Sequence, residues 1–562
     1  MLENSAFMKK IGISLPLSLF ALSGVIHLST SCVAFGFCSQ WQWSGHFDQQ
    51  RQLPSLHRCT NHIGLSRAVR QIAATATESS LLISCQDVSV QDNTPSGIGD
   101  DNEEISQQAR TEAKTISSPL GFNLQSLSNE LKGSGRAAVV WDCLRTGIDP
   151  NLYYSTPYKK DVSDHPIAQA WIAASSPSTS SSNLDISSLW QDEGILGRRQ
   201  GQGLGTAAWK KLQNVMHNYF CYNNGLMQIG NSDVELQQDR EAIYTIENTI
   251  ASLSQMKVSP DGTTKLLLKM KNDGLEVESV IIPWMDKGFS TLCVSSQVGC
   301  KQGCTFCATG RMGKLRSLTT DEILVQFYYA SKVCRVISNL FNAQSGDNCI
   351  ADHYVLPKVD NVVFMGMGEP ADNVDAVVPA VNALVDPRMF GLAQSKVTIS
   401  TVAPDPLAFA KLGQAPAALA WSVHAVDDSL RRRLVPTTRH SMEELKKGLV
   451  QALSSRSNKL RRIMLEVALI EGVNDSDEDA ERLATFSQSI MNEVAGSKVV
   501  ANLIPYNAID NAIYRTPSVE RVLRFQKIVT DCGVLCYVRT TRGDDESAAC
   551  GQLATKKKRV IE

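Results

Sequence analysis

The feature that most constrains this chain is an alternation of apolar with amphipathic segments through its second half. The apolar segments predict strands, at 291–296, 362–367, 396–401, 418–422, 463–470, 499–504 and 534–539. The segments between them predict helices, at 321–334, 374–384, 442–453, 477–491 and 519–532. Repeated strand–helix units form a parallel sheet with both faces covered. About six such units predict an α/β fold over 291–555, a partial or full β/α barrel with its chemistry at the carboxyl ends of the strands.

The residues before the barrel divide by composition into further regions. Residues 76–130 are rich in Ser, Gln, Asp and Asn without an apolar period, so they predict a flexible spacer. Residues 131–255 predict a helical accessory region that contains a Ser-rich linker at 175–182. Residues 256–290 alternate around a turn, which predicts a β-hairpin at the entry to the barrel.

The first 75 residues have the composition of a targeting segment. Lys9 and Lys10 precede an apolar run at 11–26, which is the layout of a secretory signal. The tract that follows carries Arg and has Asp48 as its only acidic residue, which is typical of an organelle transit peptide. A signal followed by a transit peptide resembles the two-part presequences of algae with secondary plastids. Residues 1–75 therefore predict a plastid protein, with a mitochondrial protein, a cytoplasmic protein or a signal anchor as alternatives.

Charge and cysteine content narrow the function classes. The 562-residue chain has a formal net charge of -2, so any contact with nucleic acid must come from local clusters of Lys and Arg. Its fifteen cysteines are too dilute for a disulfide scaffold. Four of them fall within 293–307, and this crowding favours a metal or redox site in a reducing compartment. The short basic tail at 556–562 is interpreted as a solvated segment.

The crowded cysteines include Cys300, Cys304 and Cys307, which follow the first barrel strand in a glycine-flanked segment. Three thiolates at this spacing can surround a compact inorganic cluster. Iron–sulfur clusters normally take four Cys ligands, so three would leave one iron open to a substrate. The alternative is a zinc site with a distant fourth ligand.

Several segments narrow the comparison to a known family. The cysteine motif, with Phe306 before its last Cys, resembles the radical S-adenosylmethionine (SAM) superfamily. Segments that resemble the RlmN/Cfr family of RNA adenine methyltransferases lie at 291–300, 364–370, 540–545 and 549–553. The resemblance extends over about half of the chain, 259–554. It implies a radical SAM partial (β/α)6 barrel, a 4Fe-4S cluster and two SAM molecules per turnover. It also implies methylation of carbon 2 of an adenine in large-subunit rRNA, with tRNA as a further candidate substrate.

The resemblance implies which residues bind the cofactors. Cys300, Cys304 and Cys307 would hold the cluster. The implied SAM contacts are Gly368, Glu369, Ser400, Ser422, Val423, His424 and Asn507. Glycine lets the backbone approach a ligand closely, and the Glu369 carboxylate can accept the ammonium group of the cofactor. Taken alone, each of the polar residues would more often be a satisfied side chain at a strand end.

Three catalytic residues also follow from the resemblance. Cys550 would be methylated by one SAM molecule and then carry the methyl group to RNA, because an electrophilic ring carbon does not attack a methyl sulfonium directly. A radical formed from the second SAM would remove a hydrogen from the S-methyl group. Cys293 would then displace the carbon from sulfur and leave a Cys293–Cys550 disulfide for a reductant to reopen. Glu278 would accept the ring proton, although the stretch between Pro283 and Cys293 is longer than is usual in the family.

The sequence also predicts binding partners, and it leaves alternative functions open. RNA contact is predicted for Arg311, Lys314, Arg316, Arg539 and Arg542, which belong to the segments nearest the site, whereas Arg431–Arg433 are interpreted as solvated surface charges. The target base must leave its stack, at a cost of a few kcal/mol, which favours an adenine in an rRNA or tRNA loop. We also expect an electron donor such as ferredoxin or flavodoxin, and a monomer without stable membrane association. The alternatives are carbon-8 methylation with the same residues and an inactive RNA-binding paralogue, which would be expected to lack Cys550 or a cluster ligand.

Overall fold

The structure, a computed structural model, describes residues 117–150, 204–224, 226, 243–344, 356–509, 513–543 and 547–554. These residues belong to one compact unit. The predicted targeting segment, the Ser-rich linker and the basic tail lie outside the described residues.

Helices precede the sheet, as the sequence predicts for the accessory region. They are α1 (Leu124–Leu131), α2 (Ser134–Arg145), α3 (Thr206–Asn223) and α4 (Ile246–Thr249). The predicted spacer, 76–130, overlaps α1, so its boundary at 130 is wrong. Asn123 caps α1 by accepting the N–H of Ser126, and Leu127 and Leu131 are buried on one face of the helix. A helix this short contains too few apolar residues for the sequence to show a period.

Among the described residues, one sheet of ten strands forms the framework of the fold, and its strand order follows the chain. The strands are β1 (Ala251–Val258), β2 (Thr264–Met270), β3 (Glu276–Trp284), β4 (Phe289–Cys293), β7 (Val359–Phe364), β8 (Val397–Thr401), β9 (Ala418–Ser422), β10 (Arg462–Leu469), β11 (Lys498–Pro505) and β12 (Leu535–Val538). Two further strands, β5 (Gln297–Val298) and β6 (Arg316–Ser317), pair with each other.

The strands β1 to β4 pair antiparallel and form the entry to the barrel. The predicted hairpin is present as β2 and β3, but the segment 257–270 is not one strand. It turns between β1 and β2, where the N–H of Gly262 donates to the carbonyl of Ser259 at 2.9 Å. Gly262 has a φ of 80°, a left-handed conformation that glycine adopts at little steric cost. The antiparallel entry therefore has one more strand than the sequence predicts.

From β4 to β12 every neighbouring pair in the sheet is parallel. The helices of this half are α5 (Ala308–Met312), α6 (Thr320–Gln344), α7 (Val374–Val385), α8 (Ala408–Leu412), α9 (Asp428–Leu434), α10 (Met442–Ser455), α11 (Asp477–Glu493) and α12 (Val519–Asp531). Six strand–helix units followed by β12 confirm the predicted partial (β/α)6 barrel. The short helices α8 and α9 were not predicted, because neither is long enough to show a helical period.

The helices cover the sheet through large apolar side chains. Trp421 of β9 is fully buried and packs edge-on against Phe409 of α8 and Phe486 of α11, with ring centroids 5.1 and 5.6 Å apart. This packing holds the parallel strands in register, so that their carboxyl ends meet at one edge. In the part of the chain that the structure describes, no helix has both the length and the apolar character to cross a membrane.

Candidate active site

A cavity with about 950 Å³ of empty space lies at the carboxyl ends of the parallel strands. Ten of the thirteen predicted site residues line it: Cys300, Cys304, Cys307, Gly368, Glu369, Ser400, Ser422, His424, Asn507 and Cys550. These residues are spread over 250 positions of the sequence, from 300 to 550. The parallel sheet brings them together because each one lies at or just after the end of a strand, or in a loop that follows one.

The segment 299–313, here called the cysteine loop, follows β4 and turns tightly around its own backbone. Gly299 has a φ of 75°, and a Cβ atom there would overlap the carbonyl oxygen of Gly313. The N–H of Cys300 donates to that same carbonyl at 3.2 Å. The loop is also bound to its surroundings, since the N–H of Thr305 donates to Leu434 at 3.0 Å. The glycines thus allow a conformation that presents three thiols to one cavity.

Two thiols of the cysteine loop have raised pKa values. Burial, with smaller contributions from Glu369 and Cys307, raises the pKa of Cys300 to about 12. Burial, with contributions from Cys307 and Cys300, raises the pKa of Cys304 well above its ordinary value. A coordinated metal deprotonates its thiol ligands and so would offset this cost.

The donor set fits an iron–sulfur cluster. Within the described ranges, no three His, Cys, Asp or Glu side chains converge as the ligands of a single metal ion do. Three thiols that instead line one cavity, Cys300, Cys304 and Cys307, suit a group that offers a separate iron to each thiolate. These three residues would hold the cluster.

The Glu369 carboxylate is buried at the cavity wall and is oriented by three donors. It accepts the hydroxyl of Thr401 at 2.6 Å and the N–H groups of Val402 and Ala371 at 2.9 and 2.8 Å. Burial raises its pKa to about 7, and these donors oppose the rise. A bound ammonium group would favour the ionised carboxylate. The site therefore fits the amino group of SAM.

Two glycines before Glu369, Gly366 and Gly368, line the cavity at positions that leave no room for a side chain. Gly368 has a φ of 106°, and a Cβ atom there would come within 2.6 Å of the Gln297 side chain. A Cβ on Gly366 would lie 2.8 Å from the backbone of Val294. Larger residues at these two positions would therefore push the segment after β7 away from Val294 and Gln297.

A carboxylate that the sequence analysis missed lies among the strand ends. Glu466 of β10 lines the cavity, is 3% exposed and accepts the hydroxyl of Ser400 at 3.0 Å. Ser400 also lies 3.2 Å from the hydroxyl of Ser422. Arg539 pairs with Glu466 at 3.6 Å. A single acidic residue inside the apolar segment 463–470 was the signal that could have identified it.

His424 is held as a neutral ring. Its Nδ1 accepts the N–H of Ala468 at 3.1 Å, so the ring proton resides on Nε2. Burial and the charge of Arg431 lower its pKa to about 3. Its ring packs edge-on against Phe306 at 4.6 Å, and its backbone has a φ of 58°. This left-handed backbone, rare for a residue with a Cβ, is held by Asn474, whose amide donates to the His424 carbonyl at 2.7 Å.

The segment 547–554, here called the C-terminal loop, brings Cys550 into the cavity. The carbonyl of Gly551 accepts the N–H of Ala308, and the carbonyl of Cys550 accepts the side-chain amide of Asn507 at 3.0 Å. Cys550 is exposed as a residue, while burial of its thiol raises the pKa to about 11. Cys550 is therefore reachable from the cavity while its backbone is tied to the cysteine loop.

The second predicted thiol, Cys293, ends β4 and does not line the cavity. It is buried, and burial raises its pKa to about 12, with Cys550 adding to the rise and Arg539 opposing it. Cys293 ends its strand at the same edge of the sheet as the cavity.

The predicted carboxylate Glu278 lies on β3, and it too is outside the cavity lining. It pairs with Lys265 of β2 at 3.4 Å and accepts the N–H of Ala554 at 3.0 Å. The amine of Lys265 also donates to the carbonyl of Ser547 at 3.2 Å. Burial raises the pKa of Glu278, and Lys265 lowers it. This ion pair therefore holds both ends of the C-terminal loop.

Known proteins that are similar to this chain include several methyltransferases. No family model matches the chain. A radical SAM methyltransferase of known structure from Sphaerobacter thermophilus is 35% identical, with 54% of this chain and 81% of that chain covered and a TM-score of 0.45. The dual-specificity RNA methyltransferase RlmN of Xanthomonas campestris pv. campestris (strain B100) is 41% identical over 304 residues, 53% of this chain and 70% of the relative. RlmN of Ruthia magnifica subsp. Calyptogena magnifica is 35% identical over 355 residues, 63% of this chain and 91% of the relative. This chain belongs to the RlmN family.

In this RlmN family member, two residues have a different place from the one that the sequence predicts. Val423 is fully buried and does not line the cavity; its N–H donates to the carbonyl of Glu466 at 2.9 Å. Arg431 was interpreted as a solvated surface charge, but it is 1% exposed and donates to backbone carbonyls. The interpretation of Arg431 as a solvated charge is therefore wrong.

The basic residues predicted to contact RNA differ in their exposure. Arg316 is held by the carboxylates of Asp273 and Glu322, and Arg542 lies 3.7 Å from Asp261. Arg311 and Lys314 are exposed. RNA contact through these residues stays a prediction.

Proposed function

We propose that this protein methylates carbon 2 of an adenine in large-subunit rRNA, and of an adenine in tRNA, through a methyl group carried on Cys550. The observation that carries the proposal is that the Cys550 thiol lines the same cavity as the three thiols of the cysteine loop. A fourth thiol there is not needed to hold the cluster, because three ligands leave the iron open for the cofactor. It is available for covalent chemistry.

The residues that would hold the cofactors are those described above. Cys300, Cys304 and Cys307 would bind the 4Fe-4S cluster, and Glu369 with its neighbouring glycines would bind SAM. When bound, these groups would supply the methyl group and one-electron chemistry. The surrounding protein would orient them and exclude water, since Glu369, Ser400 and Glu466 are buried. Glu369 accepts the hydroxyl of Thr401, and Glu466 accepts the hydroxyl of Ser400.

Cys550 would act as the methyl carrier because the target carbon cannot take a methyl group directly. Carbon 2 of adenine lies between two ring nitrogens and is electron-poor, so it does not attack an electrophilic methyl group. A methyl group on the Cys550 sulfur would instead lose a hydrogen atom and add to the ring as a carbon radical. The hydrogen bond from Asn507 would hold the Cys550 backbone in place during both stages.

Cys293 and Glu278 would complete the reaction. After the radical adduct has given up one electron and its ring proton, the Cys293 thiolate would attack the Cys550 sulfur. A sulfur–sulfur bond would form while the carbon–sulfur bond breaks, and its electron pair would stay with the carbon, which takes a proton from solvent to become the methyl group. A dithiol reductant would reopen the disulfide. Glu278, whose charge is supported by Lys265, would accept the ring proton.

The location and the electron donor are proposed from the sequence. We infer import into a plastid from the layout of residues 1–75, and reduction by a ferredoxin or flavodoxin from the need for single electrons. N-terminal sequencing of the native protein should find a start near residue 75. Recovery of Met1 in the native protein would overturn the import proposal.

The methylation proposal is tested by mass spectrometry of RNA nucleosides. The anaerobically reconstituted full chain is incubated with unmodified rRNA or tRNA, SAM and a one-electron reductant. We expect 2-methyladenosine in both RNAs. Formation of 8-methyladenosine would overturn the assignment of carbon 2, and an absence of methylated adenosine from a preparation with full iron content would overturn the function.

A further inference from the structure

Arg431 of α9 is a buried guanidinium that binds only backbone carbonyls. It is 1% exposed, and its Nη1 donates to the carbonyl of Ser422 at 3.0 Å. Further bonds go to the carbonyls of Val423 and Val402. Its Nε has no hydrogen-bond partner, and in the described part of the chain no carboxylate forms an ion pair with it. Three carbonyl dipoles do not neutralise a full positive charge.

The charge of Arg431 persists despite burial. Burial lowers its pKa to about 10, which is still well above neutrality. A buried cation without a counter-ion is destabilised, so an anion nearby is expected to offset the cost. The ionisable groups that influence Arg431 are Cys304, Asp428 and Glu369, and the neutral ring of His424 lies two residues after β9.

The position of α9 points to the cysteine loop as the source of that anion. Cys304 belongs to one buried apolar cluster with Leu430 and Leu434, the residues that flank Arg431 on the helix. The carbonyl of Leu434 accepts the N–H of Thr305 at 3.0 Å, which fixes the loop against the end of α9. The guanidinium and the Cys304 thiol therefore share one buried environment.

We infer that Arg431 supplies the counter-charge for the cluster thiolates and thereby makes the bound cluster easier to reduce. Three thiolates give the site a net negative charge, and one electron from an external one-electron donor adds one negative charge without making or breaking a bond. A fixed buried cation stabilises the more negative state more strongly, and the local charge sets the potential of such clusters. The inference rests on the proposed function, because it requires the 4Fe-4S cluster.

The test is a redox titration of the reconstituted full chain without RNA, followed by electron paramagnetic resonance. Arg431→Gln removes the charge, and Arg431→Lys keeps the charge but loses the fork of hydrogen bonds. Arg432→Gln and Arg433→Gln remove exposed charges next to it on the same helix. We expect Arg431→Gln to reduce the equilibrium constant for cluster reduction at least tenfold, about 59 mV for one electron. Arg431→Lys should show less than half of that shift, and the two controls should match the unsubstituted protein.

The outcomes separate this inference from the proposed function. Equal potentials in the Gln and Lys variants would overturn it, and so would loss of the cluster from both, since the role would then be structural. A cluster that is kept by the Lys variant and lost by the Gln variant supports the need for the charge. Absence of iron from the reconstituted unsubstituted protein would overturn the proposed function itself, and with it the inference about Arg431.

Discussion

The side-chain amide of Asn507 donates a hydrogen bond to the carbonyl of Cys550, with 3.0 Å between Nδ2 and the oxygen. The hydroxyl of Thr541 donates to Oδ1 of Asn507 at 2.9 Å, so both ends of the amide are engaged. Asn507 follows β11 in the sheet, whereas Cys550 belongs to the C-terminal loop. The resemblance predicts that Asn507 contacts SAM. In the structure its amide positions the backbone of the thiol that would receive the methyl group.

Asn507→Ala should therefore impair the first methylation. Loss of one well-placed hydrogen bond costs about 1 kcal/mol, and we expect the amount of S-methylated Cys550 to fall about fivefold. The measurement is peptide mass spectrometry after incubation with SAM and reductant in the absence of RNA. Thr541→Val, which leaves the amide donor in place, should show a smaller loss. Full methylation of Cys550 in Asn507→Ala would contradict the positioning role.

Cys550→Ala should keep the cluster and abolish methyl transfer, because the three thiols of the cysteine loop remain. Iron content and visible absorbance are measured beside the methylation of RNA. Cys532→Ala, which removes an exposed thiol outside the cavity, serves as the control and should retain activity. Methylated RNA from the Cys550 variant would show that the methyl group does not pass through this thiol.

Cys293→Ala should trap a covalent protein–RNA adduct, because no thiol remains to displace the carbon from Cys550. Labelled RNA that migrates with the protein in a denaturing gel, and is released by nuclease, reports the adduct. The double variant with Cys550→Ala should form none. Normal turnover by Cys293→Ala would remove Cys293 from the reaction.

Lys265→Met should move the acid limb of the pH–rate profile to higher pH. Burial raises the pKa of Glu278, and Lys265 at 3.4 Å lowers it, so removal of the lysine leaves burial unopposed and raises that pKa further. Glu278 accepts a proton only when ionised, and ionisation then requires a higher pH. The rate of RNA methylation is measured against pH, with Lys265→Arg as the charge-conserving control. An unchanged profile in Lys265→Met would contradict the assignment of Glu278 as the base.

Much of the barrel could be predicted because its elements carry their own signals. The strand predicted at 418–422 is β9, and α10 begins at Met442 as predicted because Ser441 and Glu444 form a capping box there. The elements that were missed, such as α1 and α9, are short. Their residues become ordered by packing against distant parts of the chain, for which the local sequence has no period.

The sequence by itself determined the three thiols of the cysteine loop, since ligands from one short segment are visible as a spacing. Only the tertiary structure decided the roles of Glu466 and Arg431. Each looks like an ordinary charged residue in the sequence. Burial, and neighbours brought from other strands, place Glu466 in the cavity lining and make Arg431 a buried cation that Cys304 influences. Electrostatic character depends on surroundings in three dimensions, and a linear pattern does not contain them.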